Sequence, residues 1–144
     1  MRAVVLWAGL MCATLPLTAA AQEKEPPSAW RCFDTLEDLT RFETDGAVRL
    51  NNISLREAPD FMSGVPRITF KASIANRGQS RVVASVELIG TTGGSSAFAL
   101  SARPLFDMVK PGDNAELTQS IFAEKGTLAR TSGGCIKALI FPAK

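Results

Sequence analysis

The chain has 144 residues, with 16 Lys and Arg against 14 Asp and Glu, three Cys, eight Phe, two Trp, and neither His nor Tyr. Without His there is no Ser-His-Asp or Cys-His arrangement and no imidazole ligand for zinc, haem or copper, so any acid/base pair must come from Asp, Glu, Lys or Cys. At 46% apolar and 21% charged residues the composition is that of an ordinary globular domain; the densest basic association is Arg77 and Arg81 around a turn, so nucleic acid is not an expected partner.

Residues 1–21 read as a cleaved signal peptide. Arg2 supplies the positive start, Ala3–Leu15 the apolar stretch and Ala19-Ala20-Ala21 the small-residue cleavage site, so the mature chain is expected to begin at Gln22. Pro16 interrupts the apolar run and no Lys or Arg cluster follows, which argues against a retained transmembrane anchor. Cys12 follows the bulky Met11 and reads as one more apolar residue of the leader, not a lipid-attachment site. The leader resembles those of Gram-negative bacteria, which implies the periplasm or secretion. In that compartment Cys32 and Cys135 are expected to form one disulfide, the alternative being two free thiols; no C-x-x-C spacing supports a redox role. Asn52-Ile53-Ser54 is a glycosylation acceptor only in a eukaryotic secretory protein.

Residues 22–30, with Pro26-Pro27, read as a flexible N-terminal segment leading into a single domain over 31–144. Trp30, Phe33, Leu36, Leu39 and Phe42 recur every three residues and predict a short helix near 34–41. Ser28 or Asp34 is its expected cap, with Glu37 completing a capping box. After Gly46 the period becomes two. Val48 and Leu50, then Ile53 and Leu55, alternate on either side of Asn51-Asn52, where a bulge is expected. Ile68, Phe70, Ala72 and Ile74 form the clearest core-facing row. Asn76-Arg77-Gly78-Gln79 reads as the turn of a hairpin joining 67–76 to 81–89, with Val82, Ala84, Val86 and Leu88 inward. A loop over Gly90–Ser96 precedes a strand with Phe98 and Leu100, which Pro104 ends; Leu105–Val109 is a candidate edge strand. Residues 114–125 fit either a strand, which the recurrence of turns favours, or a helix capped by Asp113 and Glu116 and stopped at Gly126. A loop over Gly126–Gly134 leads to a final strand with Ile136, Ala138 and Ile140 inward.

About seven short strands with turns between them predict a mainly β, Ig-like antiparallel β-sandwich with a short N-terminal helix, closed by Cys32–Cys135. An α+β domain with a helix at 114–125 is the alternative. The segment Ile68–Gly78, followed by Val82–Leu88 and Val109-Lys110-Pro111-Gly112-Asp113, resembles the Ig-like modules of bacterial secreted proteins of the FxLYD and CARDB types, over about 48–122. The chain departs from the FxLYD pattern in having no Tyr: Val86-Glu87-Leu88-Ile89-Gly90 stands where the aromatic signature falls. The resemblance implies an adhesive, scaffold or accessory role and brings no catalytic residues with it.

The candidate sites follow. Pro59–Pro66 carries Phe61, Met62 and Val65 between prolines, so it is either a plug with Phe61 turned inward or a contact surface, since Phe and Met are enriched at interface centres. Phe106 and Met108, on a candidate edge strand that could accept a partner strand, form a second contact candidate. Asp34, Glu37 and Asp38 group three carboxylates, but without the spacing of a calcium loop they suit a helix start better than glycoside or metal chemistry. Glu57 and Asp60 read as solvent charges. Met62 and Met108 are the only thioethers to consider for Cu(I), and without His they make no metal site. The expected function is therefore non-enzymatic, with no cofactor. It is an accessory or binding domain contacting another periplasmic or envelope protein, the alternative being a small carboxylate-dependent hydrolase or lyase.

Overall fold

The computed structural model describes residues 29–104 and 108–143. The predicted leader, the segment up to Ser28, and Phe106 lie outside these residues. Strands β1 (Arg31–Phe33), β7 (Gly133–Pro142), β4 (Val82–Thr92) and β5 (Ser95–Ala102) form one sheet in that order. Strands β2 (Val48–Pro59), β3 (Pro66–Asn76) and β6 (Asn114–Phe122) form the other. Every pairing is antiparallel. Among the described residues the fold is a mainly β sandwich of seven strands, with short helices α1 (Leu36–Thr40) and α2 (Thr127–Arg130).

The core is made by two rows that alternation marks out. Ile68, Phe70, Ala72 and Ile74 of β3 face Val86, Leu88 and Ile136 of the opposite sheet, and all are buried. Leu50 and Leu117 flank the first row and are likewise buried. The bulge falls between Asn51 and Ser54, where Asn52 takes φ +52°. That extra residue keeps Leu50 and Ile53 both inward.

One expected pairing is overturned. Residues 67–76 and 81–89 are not a hairpin: β3 pairs with β2 and β6, whereas β4 pairs with β5 and β7. The turn after Asn76 carries the chain from one sheet to the other. Asn76 is buried and holds the crossing: its amide nitrogen donates to Ser80 O (2.8 Å) and Val109 O (3.0 Å), and its Oδ1 accepts from Gly78 N–H (2.9 Å). Turn residues between two alternating runs suit either a hairpin or a crossing, because both place the apolar rows inward.

The remaining differences are local. The Gly90–Ser96 loop contracts to Gly93-Gly94, at φ +54° and +84°, the left-handed geometry a two-residue hairpin demands. α1 is capped by Thr35, whose Oγ1 accepts from Asp38 N–H (3.1 Å), not by Ser28 or Asp34. Pairing with β7 draws Arg31–Phe33 into β1, so the helix starts later. β1 lies so close to β7 that a Cβ on Gly133 would meet Phe33 O at 2.2 Å. Residues 114–122 are strand, pairing with β3 from Asn114 to Phe122; Glu116, expected in a capping box, instead reaches Lys71 across the strands (3.6 Å). Within Leu105–Val109 the described part makes a single bridge, with Val109 and Val82 exchanging two backbone hydrogen bonds (2.8 and 3.1 Å). The Gly126–Gly134 loop contains α2.

Cys32 and Cys135 face each other in the β1–β7 register and are bonded, with Cα atoms 4.0 Å apart. No helix among the described residues is long and apolar enough to cross a membrane.

Candidate functional site

The β2–β3 hairpin ends in the register pair Pro59–Pro66, leaving Asp60–Val65 as its tip. Asp60 organises that tip. Its N–H donates to Val65 O and its carbonyl accepts from Gly64 N–H, both at 2.8 Å. Its Oδ2 accepts from Met62 N–H (3.3 Å), Ser63 N–H (3.1 Å) and the Ser63 hydroxyl (2.9 Å). Arg67 Nη1 donates to the other carboxylate oxygen at 2.6 Å. With the polar groups turned in upon Asp60, the apolar side chains point out: Phe61 is 102% exposed, Met62 93% and Val65 43%. Of the two expectations for Phe61, the inward plug is excluded and the outward side chain is found.

Arg67 links the tip to its neighbour strand. It sits opposite Phe122 in the β3–β6 register, with its guanidinium carbon 5.0 Å from the centre of the Phe122 ring. Ala123 N–H donates to Pro66 O (3.0 Å), drawing the end of β6 against the base of the tip. Phe122 is 63% exposed and extends the apolar surface at this end of the sandwich. The sequence reading missed it. Its place one residue beyond the inward-facing Ile121 was the available signal, because alternation turns it outward. Phe122 also borders a groove of about 670 Å³ between β5 and β6, lined by Ala97, Phe98, Ala99, Ile121 and Ala123, with the Glu124–Arg130 ion pair (3.7 Å) beside it.

Met108 lies elsewhere. It is 46% exposed beside the Val109–Val82 bridge, at the Asn76 end of β3. The length of β3, roughly 33–37 Å at about 3.3 Å per residue, separates it from Met62. The two expected contact candidates therefore do not form one surface, and Met62 and Met108 cannot share an ion.

Two carboxylates read as solvent charges have structural partners. Besides Asp60, Glu57 accepts from Leu128 N–H (2.8 Å) and Gly126 N–H, fixing α2 against β2. Those backbone donors, Leu128 first, hold its carboxyl below the ordinary value of 4.5. Of the N-terminal acidic group, Glu37 pairs with Arg41 and Asp38 with Thr35, the residues that flank α1 at its two ends. Among the described residues no group of three His, Cys, Asp or Glu is placed to hold a metal.

Asp60 is pushed down to about 2 from 3.8, chiefly by the Arg67 hydrogen bond and then by the Ser63 N–H and hydroxyl. A depressed folded pKa gives stability that is present above the unfolded value and lost as pH falls through the folded one. Tip order is therefore expected to be complete above pH 3.8 and lost towards pH 2. A carboxyl-carbon NMR titration checks this: a midpoint near 2 is expected, and an unshifted midpoint would contradict the hub. Comparison with protein-family models, with curated proteins and with solved structures gave no match in any of the three.

Proposed function

We propose that this domain is a non-enzymatic accessory module of the bacterial periplasm that binds another envelope protein through the β2–β3 tip. The observation that carries the reading is the full exposure of Phe61 and Met62 on a loop fixed by the Asp60 hub. Large apolar side chains on a rigid support lose little entropy on docking and are frequent anchors of protein contacts. Val65 and the Arg67-stacked Phe122 widen the same surface. The Cys32–Cys135 bond suits an oxidising compartment. The resemblance of 48–122 to bacterial Ig-like modules, which act as adhesive or scaffold units, supports the same role.

The test pairs stability with affinity. A partner recovered from periplasmic extract on the purified chain is titrated against wild type and the Phe61→Ala, Met62→Ala double variant. The double variant is expected to unfold at nearly the wild-type temperature, since neither side chain is in the core. Its binding should weaken by about 1–3 kcal/mol, roughly 5- to 150-fold. Marked destabilisation without separate loss of affinity would assign Phe61 to the fold instead.

A further inference from the structure

Alternation in the β2-β3-β6 sheet turns one set of side chains into the core and the other onto an outer face. That face collects cations that lie apart in sequence. Arg56 stands opposite Thr69 and Ser54 opposite Lys71. Arg56 and Lys71 are therefore diagonal neighbours, about 7–8 Å apart at the backbone, and their long side chains can grip one group between them. With Ser54, Ala58 and Thr69 they line a recess of about 510 Å³. Arg56 is exposed and has no ion-pair partner among the described residues. Lys71 meets Glu116 at 3.6 Å, both side chains being more than half exposed, and the Thr118 hydroxyl donates to the same carboxylate oxygen (3.2 Å). Such an exposed pair is weak and yields to a better partner. Arg49 continues the row: it stands opposite Ala75, four residues along β3 from Lys71 or about 13 Å. The Thr69 and Ser120 hydroxyls are 2.9 Å apart; whichever of them donates, the other keeps its proton for an outside acceptor. Among the described residues Phe122, beside Arg67 at the tip end, is the one large apolar side chain on this face.

We propose that this outer face binds an anionic polysaccharide, gripped between Arg56 and Lys71 and running along the β2–β3 hairpin towards Arg49. Three features choose that ligand. The cations recur along one line, which suits a chain of repeated anionic groups better than a single ion. The planar fork of Arg56 can meet a carboxylate or sulfate with two parallel N–H donors. The lining of hydroxyls, with Asn51 and Ser73 between Lys71 and Arg49, matches the hydroxyls of sugar units. An acidic peptide or a membrane would instead bring apolar groups for which the recess has no large apolar counterpart. The site does not use Phe61 or Met62, so it stands apart from the protein contact proposed for the tip.

Calorimetric titration tests this with two probes, oligogalacturonate for carboxylate groups and a heparin oligosaccharide for sulfate groups. Neutral maltodextrin and an oligoglutamate of matched charge are run beside them. Wild type should bind at least one anionic glycan, more weakly as salt rises. It should not bind maltodextrin, and should bind oligoglutamate several-fold more weakly. Arg56→Gln and Lys71→Gln should each weaken glycan binding about tenfold, and Thr69→Val, which keeps every charge, about threefold. Unfolding temperatures confirm that each variant is folded. The Arg81→Gln, Lys110→Gln double variant loses as much charge away from this face and should bind as wild type does. So should Phe61→Ala, Met62→Ala. Binding of neither glycan overturns the inference, as does oligoglutamate binding as tightly as the better glycan. Equal losses from the Arg81, Lys110 pair and the Arg56, Lys71 pair, or no loss from a folded Thr69→Val, would reduce the effect to general charge and overturn it too.

Discussion

Phe70→Ala is expected to cost about 3–5 kcal/mol, the range for removing a fully enclosed aromatic side chain. Phe70 has no exposed surface and lies on β3, the central strand of its sheet, opposite Leu55 of β2 and Gln119 of β6. Hydrogen-bonded neighbours on both sides hold that backbone in place, so the cavity cannot close by strand movement and the lost contacts are not recovered. Total stability of a domain this size is about 5–15 kcal/mol, so the variant forfeits a large share of it. Urea unfolding measures the change. A loss below about 1 kcal/mol would mean that the inward face of β3 is misassigned.

Loss of the disulfide should rank beside it. Cys32 and Cys135 are 103 residues apart in sequence, and closing a loop of that length removes much freedom from the unfolded chain. The entropy estimate is about 4–5 kcal/mol, and strain or residual unfolded structure brings measured values to about 2–5. Local architecture points the same way, because three-residue β1 has few other means of staying on β7, and it delivers α1 with the buried Leu39. Cys32→Ser and Cys135→Ser should therefore lower stability by similar amounts, and the double variant by little more. Clearly additive losses in the double variant would contradict a single shared bond.

The rows of the core were legible because alternation acts locally: Ile68, Phe70, Ala72 and Ile74 declare an inward face from their spacing alone. Their partners were not legible, since Asn76–Arg81 reads the same whether it folds β4 back beside β3 or carries it to the facing sheet. Long-range partners separate the two cases, among them the hydrogen bonds from the Asn76 side chain to Val109 and from the Asn76 N–H to Asp113. Residues 114–122 were ambiguous for a related reason. Asp113 and Glu116 have the spacing of a helix cap, yet a full ladder against β3 outweighs a local signal. At the site, the sequence named the apolar residues of 59–66 but not their orientation. Orientation depends on Asp60, whose carboxylate gathers Met62, Ser63 and Arg67 and whose own role looked like that of a solvent charge. Phe122 was missed and Glu57 read as a solvent charge because their partners, Arg67 and α2, lie far away in sequence.

Site-specific photo-crosslinking in the intact envelope tests the central claim, that the β2–β3 tip is where this domain meets its partner. A photoreactive phenylalanine analogue is placed at position 61 in one strain and at position 108, near the opposite end of the sandwich, in another. The expected result is a discrete adduct from position 61 that disappears when Met62→Ala is added, and none from position 108. Adducts from position 108 alone, or equally from both positions and indifferent to Met62, would contradict the assignment.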